Sequence, residues 1–138
     1  MTRLTFIART AGFCGIVAII IPSLVPGYER PHTGLSGHIE HFIAYGLTAS
    51  ALALGFRSLS FRFEMAGGLA LLAGLMEVLQ KFVPGRHSAL SDAIASSFGG
   101  LAGLALGGIL YELLILIDQR RQALKQPLRF ETRDKQMS

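Results

Sequence analysis

The sequence predicts an all-α fold, an integral membrane four-helix bundle with both termini in the cytoplasm, and three observations carry that expectation. Of 138 residues, 51% are hydrophobic, and they fall in long runs of low charge rather than in the half-polar pattern of a soluble helix. Four such runs each approach the roughly 20 residues that a helix needs to cross a hydrocarbon core of about 30 Å. The basic residues, finally, are divided unevenly between the two ends of those runs.

The first span covers about residues 6–25. Arg3 and Arg9 precede the apolar stretch Ala11 to Val25, and Pro26-Gly27 stops it, because proline cannot continue a helix and glycine permits the turn. The stretch resembles a secretory signal, but no small-x-small cleavage site closes it, so an uncleaved signal-anchor helix is expected. Cys14, the single cysteine, lies inside this run, which excludes a disulfide within the chain and a Cys-rich metal site.

A polar segment, Tyr28 to Gly37, leads to the second span at 38–56, which ends at a basic, Ser-containing loop from Arg57 to Arg62. The third span, 65–82, stops at Pro84-Gly85. After a loop from Arg86 to Ser91 the fourth span runs over about 93–117. Residues 118–138 form a charged cytoplasmic tail, expected to extend the last helix into solvent and then fray.

Charge sets the orientation. The N-terminus, the second loop and the tail hold all the Lys and Arg residues except Arg30, Lys81 and Arg86, which places both termini inside. The net charge of +4 is accounted for in this way as topology, and no nucleic acid partner is implied. The start of span two, the end of span three and the start of span four consequently meet at the outer leaflet.

Those three segments carry most of the chemistry. His38, His41, Tyr45 and Thr48 follow one another at helical spacing and form one polar stripe, while Glu40 stands about 200° away from His38. Glu77, Gln80 and Lys81 occupy i, i+3 and i+4 on span three, with Glu77 roughly 10 Å inside the Pro84 turn. A carboxylate at that depth needs a partner. It can form a structural salt bridge to Lys81 or Arg86, or it can join His41, Gln80, Arg86 and Asp92 in a pocket that binds a lipid headgroup or moves a proton. Asp92, Ser88 and Ser91 are alternative caps for span four, and Arg86 either anchors its turn or meets a phosphate. The two histidines with Glu77 and Asp92 match no established metal spacing, so neither metal nor cofactor is expected.

Ser96, Gly99, Gly103 and Gly107 line one face of span four and are read as helix packing, as are Gly67, Ala70 and Gly74 on span three. Such faces also permit an oligomer. Glu112 is expected at the cytoplasmic interface near Arg57 or Arg62.

The segments GHIEHFIAYG at 37–46 and EVLQKFVPGRHSALSD at 77–92, followed by Ser96 and Gly99, resemble the VanZ-like family over about residues 37–103. The family positions fall on His41, Phe42, Tyr45, Glu77, Gln80, Arg86, Ser88, Asp92 and Gly99. Two departures are Gly37-His38 where many members have Asp-Lys, and Ser96 in place of a common Asn. The resemblance implies a multi-span protein of the bacterial inner membrane. Its name-giving member is associated with teicoplanin resistance, but no settled catalytic activity comes with the family.

The leading expectation is a non-enzymatic cell-envelope protein that binds a membrane lipid or envelope precursor through His41, Tyr45, Glu77, Gln80, Arg86, Ser88 and Asp92, with His38 and Glu40 beside them. The alternatives are a membrane enzyme acting on lipid phosphate and a structural or transport subunit. The first is prompted by Arg30-Pro31 and Ser36-Gly37-His38, which resemble fragments of phosphatidic-acid phosphatase motifs. The second follows from the glycine-lined faces.

Overall fold

The computed structural model describes residues 2–29, 34–86 and 88–125. Arg30, Pro31 and the tail beyond Lys125 lie outside the described residues. The fold is all-α, with four helices: α1 (Thr2–Leu24), α2 (Gly37–Gly55), α3 (Leu59–Gln80) and α4 (Leu90–Lys125), and a 3-10 turn at Gly27–Glu29 after α1.

Three helical segments, Arg3–Leu24, Leu59–Gln80 and Leu90–Lys125, are long and apolar enough to cross a membrane, which indicates a membrane protein. The helix outside that group, α2, has 19 residues, but its first turns carry His38, Glu40 and His41. Its surroundings explain how it tolerates them. It packs most extensively on α4 and then on α1, whereas α3 leans mainly on α4.

Large apolar side chains cover much of the surface, while some polar ones are buried. Gln80 is 2% exposed and Glu77 8%, while Leu71 is 75% and Phe98 63% exposed. Polar side chains turned inward and large apolar ones turned outward are the pattern of helices solvated by lipid. The shared core is small, built from Ile19, Tyr45, Ala49, Leu52, Leu69 and Ala73.

Two boundaries differ from the sequence expectation. α3 starts at Leu59 rather than near Met65, so most of the expected Arg57 to Arg62 loop is helical. Ser58 is the cause: it is extended at φ −67° and ψ 124°, and its hydroxyl accepts from the Phe61 amide at 3.4 Å. α4 starts at Leu90 and runs 36 residues, about 54 Å at 1.5 Å per residue, well beyond one hydrocarbon thickness. Asp92 therefore lies inside the first turn instead of preceding the helix.

The α2 and α4 backbones are in near contact. A Cβ added at Gly99, Gly103 or Gly107 would overlap the carbonyl oxygens of Phe42, Gly46 and Ser50 in turn. The Ser50 hydroxyl donates to the Gly103 carbonyl at 2.9 Å across the same seam. Ser96, 2% exposed, continues this face and returns its hydroxyl to Asp92 O at 2.8 Å. The small face of α3 has no such close partner at its glycines: Gly67 and Gly74 have open space where a Cβ would stand. The partner of α4's glycine face is α2.

Candidate functional site

One end of the molecule gathers the first turns of α2 and α4, the last turns of α1 and α3, and the turn between α3 and α4. Geometry brings them together through backbone contacts first. Gly27 donates its amide to Pro84 O at 3.1 Å, and a Cβ at Gly27 would overlap the Gly85 carbonyl, so the loop after α1 rests on the α3–α4 turn. Gly85 has φ +72°, a left-handed conformation that glycine adopts without strain.

On this frame His38 and Asp92 form a direct contact, Nδ1 to Oδ1, joining α2 to α4. The other carboxylate oxygen stands 4.0 Å from His41 Nε2. Asp92 also lies over Gly37, the first residue of α2, where the unpaired amides and the helix dipole favour an anion. The aspartate thus bridges two helices and faces two imidazoles, which accounts for its role better than the expected cap of its own helix.

Glu77 uses its carboxylate to accept the Ala89 amide, just ahead of α4. It therefore ties α3 to α4 by capping a neighbouring chain segment. Arg86 reaches α1: its Nε donates to Val25 O at 3.2 Å and its Nη2 to Pro22 O. These carbonyls are at the end of a helix, where no following turn supplies donors. Sequence reasoning missed both acceptors because backbone groups leave no side-chain signature, although Pro22 and Pro26 mark the place where carbonyls fall vacant.

Between α1 and α2 a cavity of about 80 Å³ is lined by Pro22, Ser23, Glu40, His41, Tyr45 and Arg86 among others. Glu40 and His41 thus face the same space, whereas His38 turns to Asp92 on the α4 side. Tyr45 is buried below them, its ring 6.5 Å from that of His41. Gln80 is equally buried, and its Nε2 meets no acceptor among the described residues. Ser88 is half-buried in the connector before α4.

Acids and bases alternate in this layer, and most of them hold helices together: His38 with Asp92, Glu77 with the start of α4, Arg86 with the end of α1. The groups facing the cavity, Glu40 and His41 with Arg86 at the rim, are placed to recognise a small polar group by charge-assisted hydrogen bonds. Among the described residues, no three His, Cys, Asp or Glu side chains are placed to hold a metal ion. Comparison with protein families, with curated proteins and with solved structures found no match.

Proposed function

We propose that this chain is a VanZ-like, four-span protein of the bacterial inner membrane, with both termini in the cytoplasm, and that its polar layer binds a membrane lipid or cell-wall precursor at the outer leaflet. The observation that carries the reading is the cavity between α1 and α2, where Glu40, His41, Tyr45 and Arg86 converge at the end of apolar helices. Buried ionisable groups in such helices are costly and mark sites of binding or transfer. Gln80, in the last turn of α3 and outside the cavity lining, is a further buried donor without an acceptor among the described residues.

The test is lipid co-purification followed by mass spectrometry, comparing wild type with Glu40→Gln, His41→Ala and Glu77→Gln. Glu77→Gln preserves an oxygen to accept the Ala89 amide, so it removes charge without removing the cap. One envelope lipid or precursor enriched on the wild type and depleted from the cavity variants supports the reading. Identical lipid profiles across folded variants reject it.

A second reading, a membrane enzyme acting on lipid phosphate, is favoured by one observation. His38 is held through Nδ1 by Asp92 while its side chain is 55% exposed, the arrangement of an imidazole oriented for nucleophilic or general-base work. Release of phosphate from a lipid pyrophosphate by purified protein, abolished by His38→Ala, would establish it. No release would leave binding as the function of the layer.

A further inference from the structure

At the opposite end of α2 two arginines clasp the final carbonyls. Arg9, from α1, donates its Nε to Gly55 O at 2.7 Å, and Arg62, from α3, donates its Nε to Phe56 O at 3.0 Å. Each guanidinium also stands by an aromatic ring, Arg9 4.5 Å above Phe56 and Arg62 5.0 Å from Tyr111. Neither has a carboxylate within ion-pair distance among the described residues. A helix C-terminus offers only about half a negative charge, so two full positive charges at one helix end remain largely uncompensated.

Arg62 also forms part of the lining of a wide groove. This groove lies between α3 and α4, has a volume of about 630 Å³, and is otherwise almost entirely apolar, with Phe63, Ala66, Leu104, Ala105 and Ile109 along it. That volume falls within the roughly 300–1,000 Å³ typical of small-ligand sites. Arg62 Nη2 is buried without an acceptor among the described residues, and Gly108 leaves room for its Nη1, 3.2 Å from where a Cβ would stand. Glu112 lines the same groove without pairing to Arg62.

We infer that the α3–α4 groove binds one anionic phospholipid, its acyl chain along Phe63, Leu104 and Ile109 and its phosphate against the guanidinium of Arg62, with Arg9 on the neighbouring α2 carbonyl adding to the positive field. The unmet donor selects the ligand: an Arg62 guanidinium with Nη2 lacking an acceptor among the described residues, set in an apolar trough, complements an amphiphile with an anionic head, and a guanidinium presents paired donors to phosphate oxygens. Arg57, next in sequence to the Phe56 acceptor, adds to the same field. On the proposed topology this is the cytoplasmic leaflet, so the site is distinct from the polar layer and rests only on the membrane reading. Glu112 opposes the phosphate and limits its affinity.

The test uses the full chain in a neutral detergent, titrated with phosphatidylglycerol, with phosphatidylcholine of matched chains, and with inorganic phosphate alone. Thermal unfolding and native mass spectrometry are the readouts. Phosphatidylglycerol is expected to raise Tm and stay bound, while the other two do neither. Ala105→Phe fills the trough and leaves both arginines in place; it and Arg62→Gln should each weaken binding about tenfold, the order of one lost charge-assisted contact. Glu112→Gln should tighten it. Equal stabilisation by phosphatidylcholine, or unchanged binding to Ala105→Phe, overturns the assignment. So does a dimer that Ala105→Phe dissociates without any lipid, since the groove would then belong to a second copy of the chain.

Discussion

His38 and Asp92, 54 residues apart, join the first turns of α2 and α4 through Nδ1 and Oδ1. The aspartate is the less exposed partner, at 15% against 55% for the histidine, and its second oxygen is turned toward His41. The two partners should therefore respond unequally to truncation. Asp92→Ala strips the layer of a carboxylate serving two helices and is expected to lower stability by ~1–3 kcal/mol, in the range for breaking a partly buried charged hydrogen bond. His38→Ala should cost less, because water can reach the aspartate oxygen it uncovers. Thermal unfolding of the two variants and of the double variant measures this: the double should fall short of the sum of the singles.

The α2–α4 seam is the most size-restricted contact in the fold. Gly103→Val places side-chain atoms where Gly46 O stands, and neither backbone can retreat without breaking neighbouring contacts. The variant is expected to lose cooperative unfolding or to drop in stability by more than ~2 kcal/mol, beyond the usual cost of an extra methyl group in a core. Gly100→Ala, beside the seam but with open space at its Cβ, should be neutral or slightly stabilising, since it also raises helix propensity. Size-exclusion profile and Tm in detergent distinguish the two. Equal effects would mean that α2 and α4 do not approach at these glycines.

Arg86 supplies donors to the vacant carbonyls of α1 at Pro22 and Val25. Arg86→Lys retains the charge but replaces a planar fork by a single ammonium, so it should satisfy one carbonyl and release the other. A loss of ~1–2 kcal/mol is expected for Lys and more for Ala, with increased hydrogen exchange confined to the last turn of α1. Uniform exchange throughout the chain would indicate that Arg86 supports the whole fold.

Some of this was legible in the sequence because it depends on length and sign. The apolar runs near 6–25 and 93–117 became α1 and the central part of α4, since each is bounded by proline, glycine or charge. The segment before Met65 was not legible: Arg57, Arg62 and Glu64 read as loop by hydropathy, yet a single serine hydroxyl at position 58 starts the helix there. Partner choice was equally hidden. Gly67, Ala70 and Gly74 line one helical face, as Gly99, Gly103 and Gly107 do, but spacing cannot tell which small face finds a backbone opposite it. In the polar layer, the residues were visible as charge inside apolar runs, whereas the acceptors of Arg86 and Glu77's amide partner are main-chain groups common to every residue.

Orientation provides the last test, because charge asymmetry alone carries it. In a Cys14→Ser background, Ser58→Cys and Gln122→Cys should react with a membrane-impermeant maleimide only when the cytoplasmic side is open to it. Gly34→Cys and Ser88→Cys should react from the outer side of intact cells. The positions in each pair lie in different connectors or helices, so one aberrant insertion cannot mimic the full pattern. Gln122 is also a test of the 36-residue α4. About 54 Å of helix cannot be contained in a hydrocarbon core of about 30 Å, so residues near Asp118 and Gln122, which hydrogen-bond to each other at 3.1 Å, must stand in water. Labelling of Gln122→Cys from outside would reverse the topology and move the polar layer to the cytoplasmic leaflet. Protection from both sides would place the end of α4 within lipid, against its charge.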